Sequence, residues 1–245
     1  MRVVLGALLL VAMQCGVTVG QQGAVMTVPD SAEAKKLAAL QERFNDFGGL
    51  KRYREANAAL VPTEKGRVVF YGDSITDAWT LNGGKFFPGK PYVNRGISGQ
   101  TTPQMLIRLR QDVISLHPEA VVILAGTNDI AGNTGPSTLA MIEDNLTSMT
   151  ELAQANHIRV VIASVLPAAD YPWHRGQEPA AKIRDLNTWI AEYCKQKKAT
   201  YLDYYSAMVD ENGAMKPGIS KDGVHPNAAG YAIMEPLAEK VLEKK

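Results

Sequence analysis

Four short segments of this 245-residue chain place residues able to do chemistry close to runs that read as strands. Gly72-Asp73-Ser74-Ile75-Thr76-Asp77 follows the apolar run 67–71. A glycine there lets the backbone turn sharply. The serine beyond it would stand at a helix N-terminus, where backbone N–H groups and the helix dipole favour developing negative charge. A serine at such a turn is equally an ordinary N-cap. The segment is not a Gly-x-Ser-x-Gly elbow, because Thr76 stands in the second glycine's place.

Asn94-Arg95-Gly96-Ile97-Ser98-Gly99 follows a second run. Gly96 would let a backbone N–H approach a substrate closely, and Gly99 would permit the turn into the next helix. The same glycines also fit a loop with no chemical role. Gly126-Thr127-Asn128-Asp129 follows a third run. The Asn128 amide can donate a hydrogen bond without carrying charge, which suits an oxyanion, although an Asx-type turn explains it as well.

Asp222-Gly223-Val224-His225-Pro226-Asn227 lies near the C-terminus. Asp222 can accept from one ring nitrogen of His225 and leave the other free to take a proton from a serine. A lone histidine before proline is otherwise a loop residue. His117, His157 and His174 show no ligand spacing, so a metal hydrolase is not expected.

These segments need a scaffold that brings strand ends together, and the rest of the chain supplies its signature. The runs 67–71, 92–95, 120–125, 159–165 and 200–204 are apolar almost throughout instead of alternating, as expected for strands covered on both faces. Helical patterns separate them. Pro103 opens one running to about Leu116, Leu139 to Leu152 form a second stripe, and Ile183, Leu186, Ile190 and Cys194 a third. A last helix runs from about Ala228 to the end. Strand–helix alternation of this kind implies one α/β domain with a parallel sheet, and ligands then bind outside the carboxyl ends of its strands.

Composition narrows the class. Charged residues make up 21%, with 26 Lys and Arg against 25 Asp and Glu, so no electrostatic footprint for nucleic acid exists. Two cysteines support neither a disulfide framework nor a four-ligand zinc site. The stripe places Cys194 in the core as a small apolar residue. Residues 1–20 combine Arg2, an apolar run over 3–13 and small residues at Thr18 and Gly20, which reads as a secretory signal peptide. A retained anchor and a lipoprotein at Cys15 are the alternatives. Ser31 to Phe47 carries an amphipathic helical pattern that Gly48-Gly49 ends, and residues 21–60 are expected to form an N-terminal helical extension ahead of a domain over 61–245.

Taken together, Gly-Asp-Ser-Ile-Thr, Gly96 in Arg-Gly-Ile-Ser-Gly, Gly-Thr-Asn-Asp and Asp-Gly-Val-His-Pro fall in this order along the chain. The set resembles the GDSL-type esterase/lipase family, the SGNH hydrolases, over roughly residues 67–243. That resemblance implies a flavodoxin-like three-layer α/β/α sandwich with a five-stranded parallel sheet. It implies Ser74 as nucleophile, His225 as general base and Asp222 as the orienting acid. The oxyanion hole would fall on the Ser74 and Gly96 backbone N–H groups and the Asn128 side chain. No metal or other cofactor is implied.

The expected activity is hydrolysis of short-chain acyl esters, acetyl foremost, on a small molecule or glycan. A lysophospholipase or thioesterase acting on longer chains is the alternative, and a non-catalytic carbohydrate-binding protein a third reading. Tyr171 and Trp173 could stack on a sugar ring and Arg175 could meet an anionic group, unless the aromatics only pack their loop. The signal peptide points to a secreted or periplasmic protein, and no stable membrane insertion is expected.

Overall fold

The computed structural model describes residues 31–62 and 64–243. The expected signal peptide over 1–20 lies outside the described residues. Residues 31–41 belong to one compact unit and the chain from Glu42 onward to another. Helix α1 (Ser31–Asn45) crosses that boundary.

Within the larger unit, α2 (Arg54–Ala58) leads into β1 (Val68–Gly72) and a four-residue helix, α3 (Ser74–Asp77). Then come β2 (Tyr92–Gly96), α4 (Thr102–Asp112), a 3-10 turn at Ile114–Leu116, β3 (Ala120–Leu124) and α5 (Thr127–Ile130). The chain continues through α6 (Leu139–Ala155), β4 (Arg159–Ala163), α7 (Pro179–Lys197), β5 (Thr200–Leu202), α8 (Tyr205–Met208) and α9 (Ala228–Leu242).

The five strands pair in parallel in the order β2-β1-β3-β4-β5, with Val69 opposite both Val93 and Val121. This is the flavodoxin-like order, and its topological switch lies at β1 and β3. Alternate strand residues serve opposite faces. Val69, Tyr71, Val121, Ile123, Val160 and Ile162 pack with Met105, Leu109, Leu146, Met149, Leu186 and Ile190, so α4, α6 and α7 cover one face. Val68, Phe70, Val122, Leu124 and Val161 pack with Met208, Tyr231, Met234 and Ala238, so α8 and α9 cover the other. That double burial is why the strands are apolar on both sides. Cys194 is buried in the first of these cores.

The capping chemistry is legible at each helix that matters to the site. The Gln104 side-chain oxygen accepts from the Thr101 N–H at 3.0 Å behind Pro103, and the Asn227 side chain accepts from Ala229 and Gly230. Among the described residues no helix is long and apolar enough to cross a membrane.

Of the expected extension over 21–60, residues 21–30 lie outside the described residues. Residues 42–60 belong with the larger unit. Tyr53 is buried, its hydroxyl donates to the Gly96 carbonyl, and Asn57 donates to Asp112 at 2.7 Å. Asn57 also accepts from Arg95 at 2.7 Å. The sequence pattern missed this attachment because it runs through polar groups and one aromatic instead of an apolar stripe.

Candidate active site

β1 ends at Gly72, and the chain turns at once into α3. Asp73 caps that helix by accepting from the Ile75 N–H at 3.0 Å, which leaves Ser74 as its first residue. The Ser74 hydroxyl meets His225 Nε2 at 2.9 Å. His225 Nδ1 lies 2.6 Å from Asp222 Oδ2, and Asp222 Oδ1 also accepts from the His225 and Val224 backbone N–H groups. Burial raises the Asp222 carboxyl, but these donors outweigh it and hold the group at about 2, below its usual 3.8. Asp222 is therefore a carboxylate at neutral pH, and Nδ1 carries the proton. The lone pair of Nε2 then faces the serine hydroxyl. Asn227 caps α9 directly behind this loop, and Tyr231 on α9 donates to the Ile75 carbonyl at 2.7 Å, which fastens α9 beside the serine.

The opposite side of the serine is a buried polar network. Asn128 is 2% exposed; its amide nitrogen donates to the Gln100 carbonyl at 2.9 Å and to Asp73 Oδ2 at 3.2 Å. Its oxygen accepts from Asn133 Nδ2 at 2.9 Å. Arg108, fully buried, donates to the carbonyls of Gly72 and Arg95 at 2.9 Å each, to the Gln100 side chain at 2.6 Å and to Asp112 at 3.1 Å. One guanidinium thus fixes the ends of β1 and β2 and the loop after β2. Burial pushes the Asp73 carboxyl up to about 7, and burial raises Asp129 to about 6 although Thr102 donates to it through both backbone and hydroxyl.

One expected oxyanion donor, the Gly96 N–H, is already engaged within the protein. It donates to the Asn94 side chain at 2.9 Å, and the Gly96 carbonyl accepts from Tyr53. A Cβ on Gly96 would sit 2.1 Å from the Asp77 nitrogen. Gly96 is a glycine because β2 packs backbone-to-backbone on α3, not because a substrate must approach it. In the same loop, Gly99 takes a positive φ of 78°. Its carbonyl accepts from Asn133 at 3.2 Å, while its N–H, like that of Ser74, meets no acceptor among the described residues.

The expected rim residues separate as well. Tyr171 is 0% exposed and its hydroxyl shares a hydrogen bond with Thr127 at 3.0 Å, so its ring is not available to a ligand. Trp173 is 45% exposed, with its ring centroid 5.8 Å from that of His225. Arg175 is not on the wall of the cleft that holds the serine. It lines a separate hollow of about 210 Å³ with Asp170, Met215 and Asp222. Ser74 and His225 open into a cleft of about 700 Å³ with Leu81, Asn82, Ser98 and Lys221 on its walls. Asn133 and Arg108 went unassigned in the sequence, and Gly99 was read only as the turn into the next helix. Asn133 had one faint signal, its place five residues after Asn128, just beyond α5.

Such a site can deliver a serine alkoxide equivalent to a carbonyl carbon and supply donors on its far side. Comparison with known proteins agrees with that chemistry. The chain is 48% identical to a GDSL-like lipase from Bacteroides thetaiotaomicron, covering 81% of this chain and 98% of that one with a TM-score of 0.78. It is 45% identical to a candidate acylhydrolase from Bacteroides fragilis, covering 80% and 97%, also with a TM-score of 0.78. An acetylxylan esterase from Geobacillus stearothermophilus shares the fold at 18% identity, with 76% and 98% covered and a TM-score of 0.59. The chain also matches an N-acylneuraminate cytidylyltransferase of Streptococcus agalactiae at 26% identity over 173 residues. That match takes in 71% of this chain and spans only 38% of that protein's length. Residues 70–233, more than half of the sequence, match the GDSL-like lipase/acylhydrolase family, and the chain belongs to it.

Proposed function

We propose that this chain is a serine esterase that removes short acyl groups, acetyl foremost, from carbohydrate esters through an acyl-enzyme. The observation that carries the reading is the Ser74–His225–Asp222 relay, at 2.9 and 2.6 Å, opening into the cleft. His225 Nε2 takes the hydroxyl proton as Ser74 Oγ bonds to the ester carbonyl carbon. Asp222 holds the imidazole in the required tautomer and balances the imidazolium. The oxyanion is received by the Ser74 and Gly99 N–H groups and by Asn128, whose longer contact to Asp73 gives way to it. Collapse expels the alcohol, which takes the proton from His225, and water repeats the sequence to release the acid.

Small and polar walls support a short acyl group. Ala78, Gly83 and Ser98 line the cleft, and Leu81 is its one large aliphatic side chain. The open ring of Trp173 beside His225 supports a sugar as the alcohol. We propose as well that the pattern over 1–20 is a secretory leader, so that the reaction is carried out after export.

The test is hydrolysis of p-nitrophenyl esters from acetyl to dodecanoyl by wild type and Ser74→Ala. Serine-dependent activity peaking at acetyl is expected. A peak at medium or long chains would turn the reading to lysophospholipids or thioesters. If wild type neither hydrolyses any ester nor labels with a fluorophosphonate, the esterase reading is wrong and a carbohydrate-binding role replaces it.

A further inference from the structure

An asparagine amide presents a donor on one side and an acceptor on the other, and a half-turn exchanges them. Asn128 is useful to an oxyanion in only one of the two orientations. Its surroundings decide which one holds. The Gln100 backbone carbonyl accepts only, so the nitrogen must face it, and Asp73 Oδ2 lies on the same side at 3.2 Å. The oxygen then needs a donor, and Asn133 Nδ2 provides it at 2.9 Å.

Asn133 is itself an amide and could turn over, but two neighbours forbid it. The Trp173 indole N–H, which can only donate, meets Asn133 Oδ1 at 2.9 Å. The Gly99 carbonyl, which can only accept, meets Asn133 Nδ2 at 3.2 Å. The Asn133 backbone is held too, its N–H donating to the Asn128 carbonyl at 3.0 Å. Both amides are thus oriented by groups whose polarity is unambiguous.

We propose that Asn133 is a positioning residue that keeps the Asn128 amide in its donating orientation, anchored in turn by the indole of Trp173. The assignment rests on the esterase reading for its catalytic consequence, but not for its geometry. It also gives Trp173 a task apart from any sugar it meets. The ring that stands over His225 reaches the oxyanion donors through a single side chain.

Asn133→Asp separates this role from mere space filling. Aspartate is nearly isosteric, so a packing role makes it milder than Asn133→Ala. Its carboxylate cannot donate, however, and would face the Asn128 oxygen and the Gly99 carbonyl. Positioning therefore makes Asp the worse substitution. With p-nitrophenyl acetate, Asn133→Asp is expected to lower kcat about 10²-fold, near the cost of losing one oxyanion donor, with KM within about twofold. Asn133→Ala should lose about tenfold and Trp173→Phe, which keeps a ring but no N–H, several-fold. In an Asn128→Ala background, Asn133→Asp should cost almost nothing more.

A second readout does not depend on turnover. The Asn128 side-chain amide protons, assigned in NMR spectra by their loss in Asn128→Ala, should exchange with solvent faster in Asn133→Asp than in wild type, and detectably faster in Trp173→Phe. An Asp variant as active as Ala, or unchanged exchange in both folded variants, overturns the proposal. If wild type shows no Ser74-dependent hydrolysis, the esterase reading fails separately and the exchange measurement still decides this one.

Discussion

The two sides of Ser74 are built on opposite principles. On one side, Asp222 and His225 sit on a loop at the cleft mouth, with 39% and 26% of their side chains exposed, joined by contacts three residues apart. On the other, Asp73, Asn128, Asp129, Gln100 and Arg108 are all buried and tied across β1, β2 and β3. The proton-transfer side needs an imidazole that becomes charged twice per turnover, which partial solvation tolerates. The oxyanion side needs dipoles that do not move when charge develops, which burial and crosslinking provide. Apart from the pH-dependent contributions of the carboxyls, substitutions on the first side should cost chiefly activity, and those on the second should cost activity and stability together.

The largest test of that division is Ser74→Ala. It should lower p-nitrophenyl acetate turnover by about 10⁴–10⁶-fold while the calorimetric melting temperature stays within a few degrees of wild type. A large drop in melting temperature would show that the exposed relay is structural as well. Arg108→Met comes next. It takes from the buried Asp112 carboxyl its ion-pair partner, leaving only the neutral donors Asn57 and Gln111, a loss of about 3 kcal/mol in urea unfolding, and the surviving folded protein should turn over more slowly because three loop anchors are gone. Asn128→Ala should cost about 10²–10³ in kcat, together with a measurable loss of stability. Loss of activity with stability intact would place Asn128 with the relay.

The smallest effect is the sharpest. Asp222, held at about 2 in the folded protein against 3.8 ordinarily, binds protons less tightly folded than unfolded. Its contribution to stability is complete above about pH 4 and is lost as pH falls toward 2. Asp73 and Asp129, raised to about 7 and about 6, bind protons more tightly when folded. Their contribution runs the other way, and stability should decline as pH rises from about 4 to about 7. Urea midpoints across pH 2.5–8 should therefore show a shallower acid limb in Asp222→Asn and a shallower neutral decline in Asp73→Asn. Parallel profiles for wild type and either variant would count against the contrast.

Much of this was legible in the residue pattern, and the exceptions have physical causes. The three central strands, β1, β3 and β4, announce themselves because a parallel sheet covered on both faces leaves them few polar alternates, whereas the edge strands carry Asn94, Arg95 and Thr200. Helices α3, α5 and α8 do not, since four residues are too few to show a period. Ser74, Asn128, Asp222 and His225 stand out by type and position. Gly96 and Gly99 do not separate by spacing. What distinguishes them is that Asn94 and Tyr53 occupy the polar groups of the first while the N–H of the second stays open. Tyr171 and Trp173, two residues apart, look alike as platforms, yet one is core and the other surface. Only tertiary packing assigns such sides in an irregular loop.

The spacing of the relay also sets a clock. Asp222 and His225 can find one another within a few residues, but the bond from His225 to Ser74 closes across 151 residues of chain. Contacts of that span are among the costliest in chain entropy to form early, and this one requires α9 to be seated against α3 through Tyr231. During refolding, helical signal and the burial of the β1–β3 core should return first. Ester hydrolysis should lag behind them, so that turnover in a refolding chain reports the docking of its last helix.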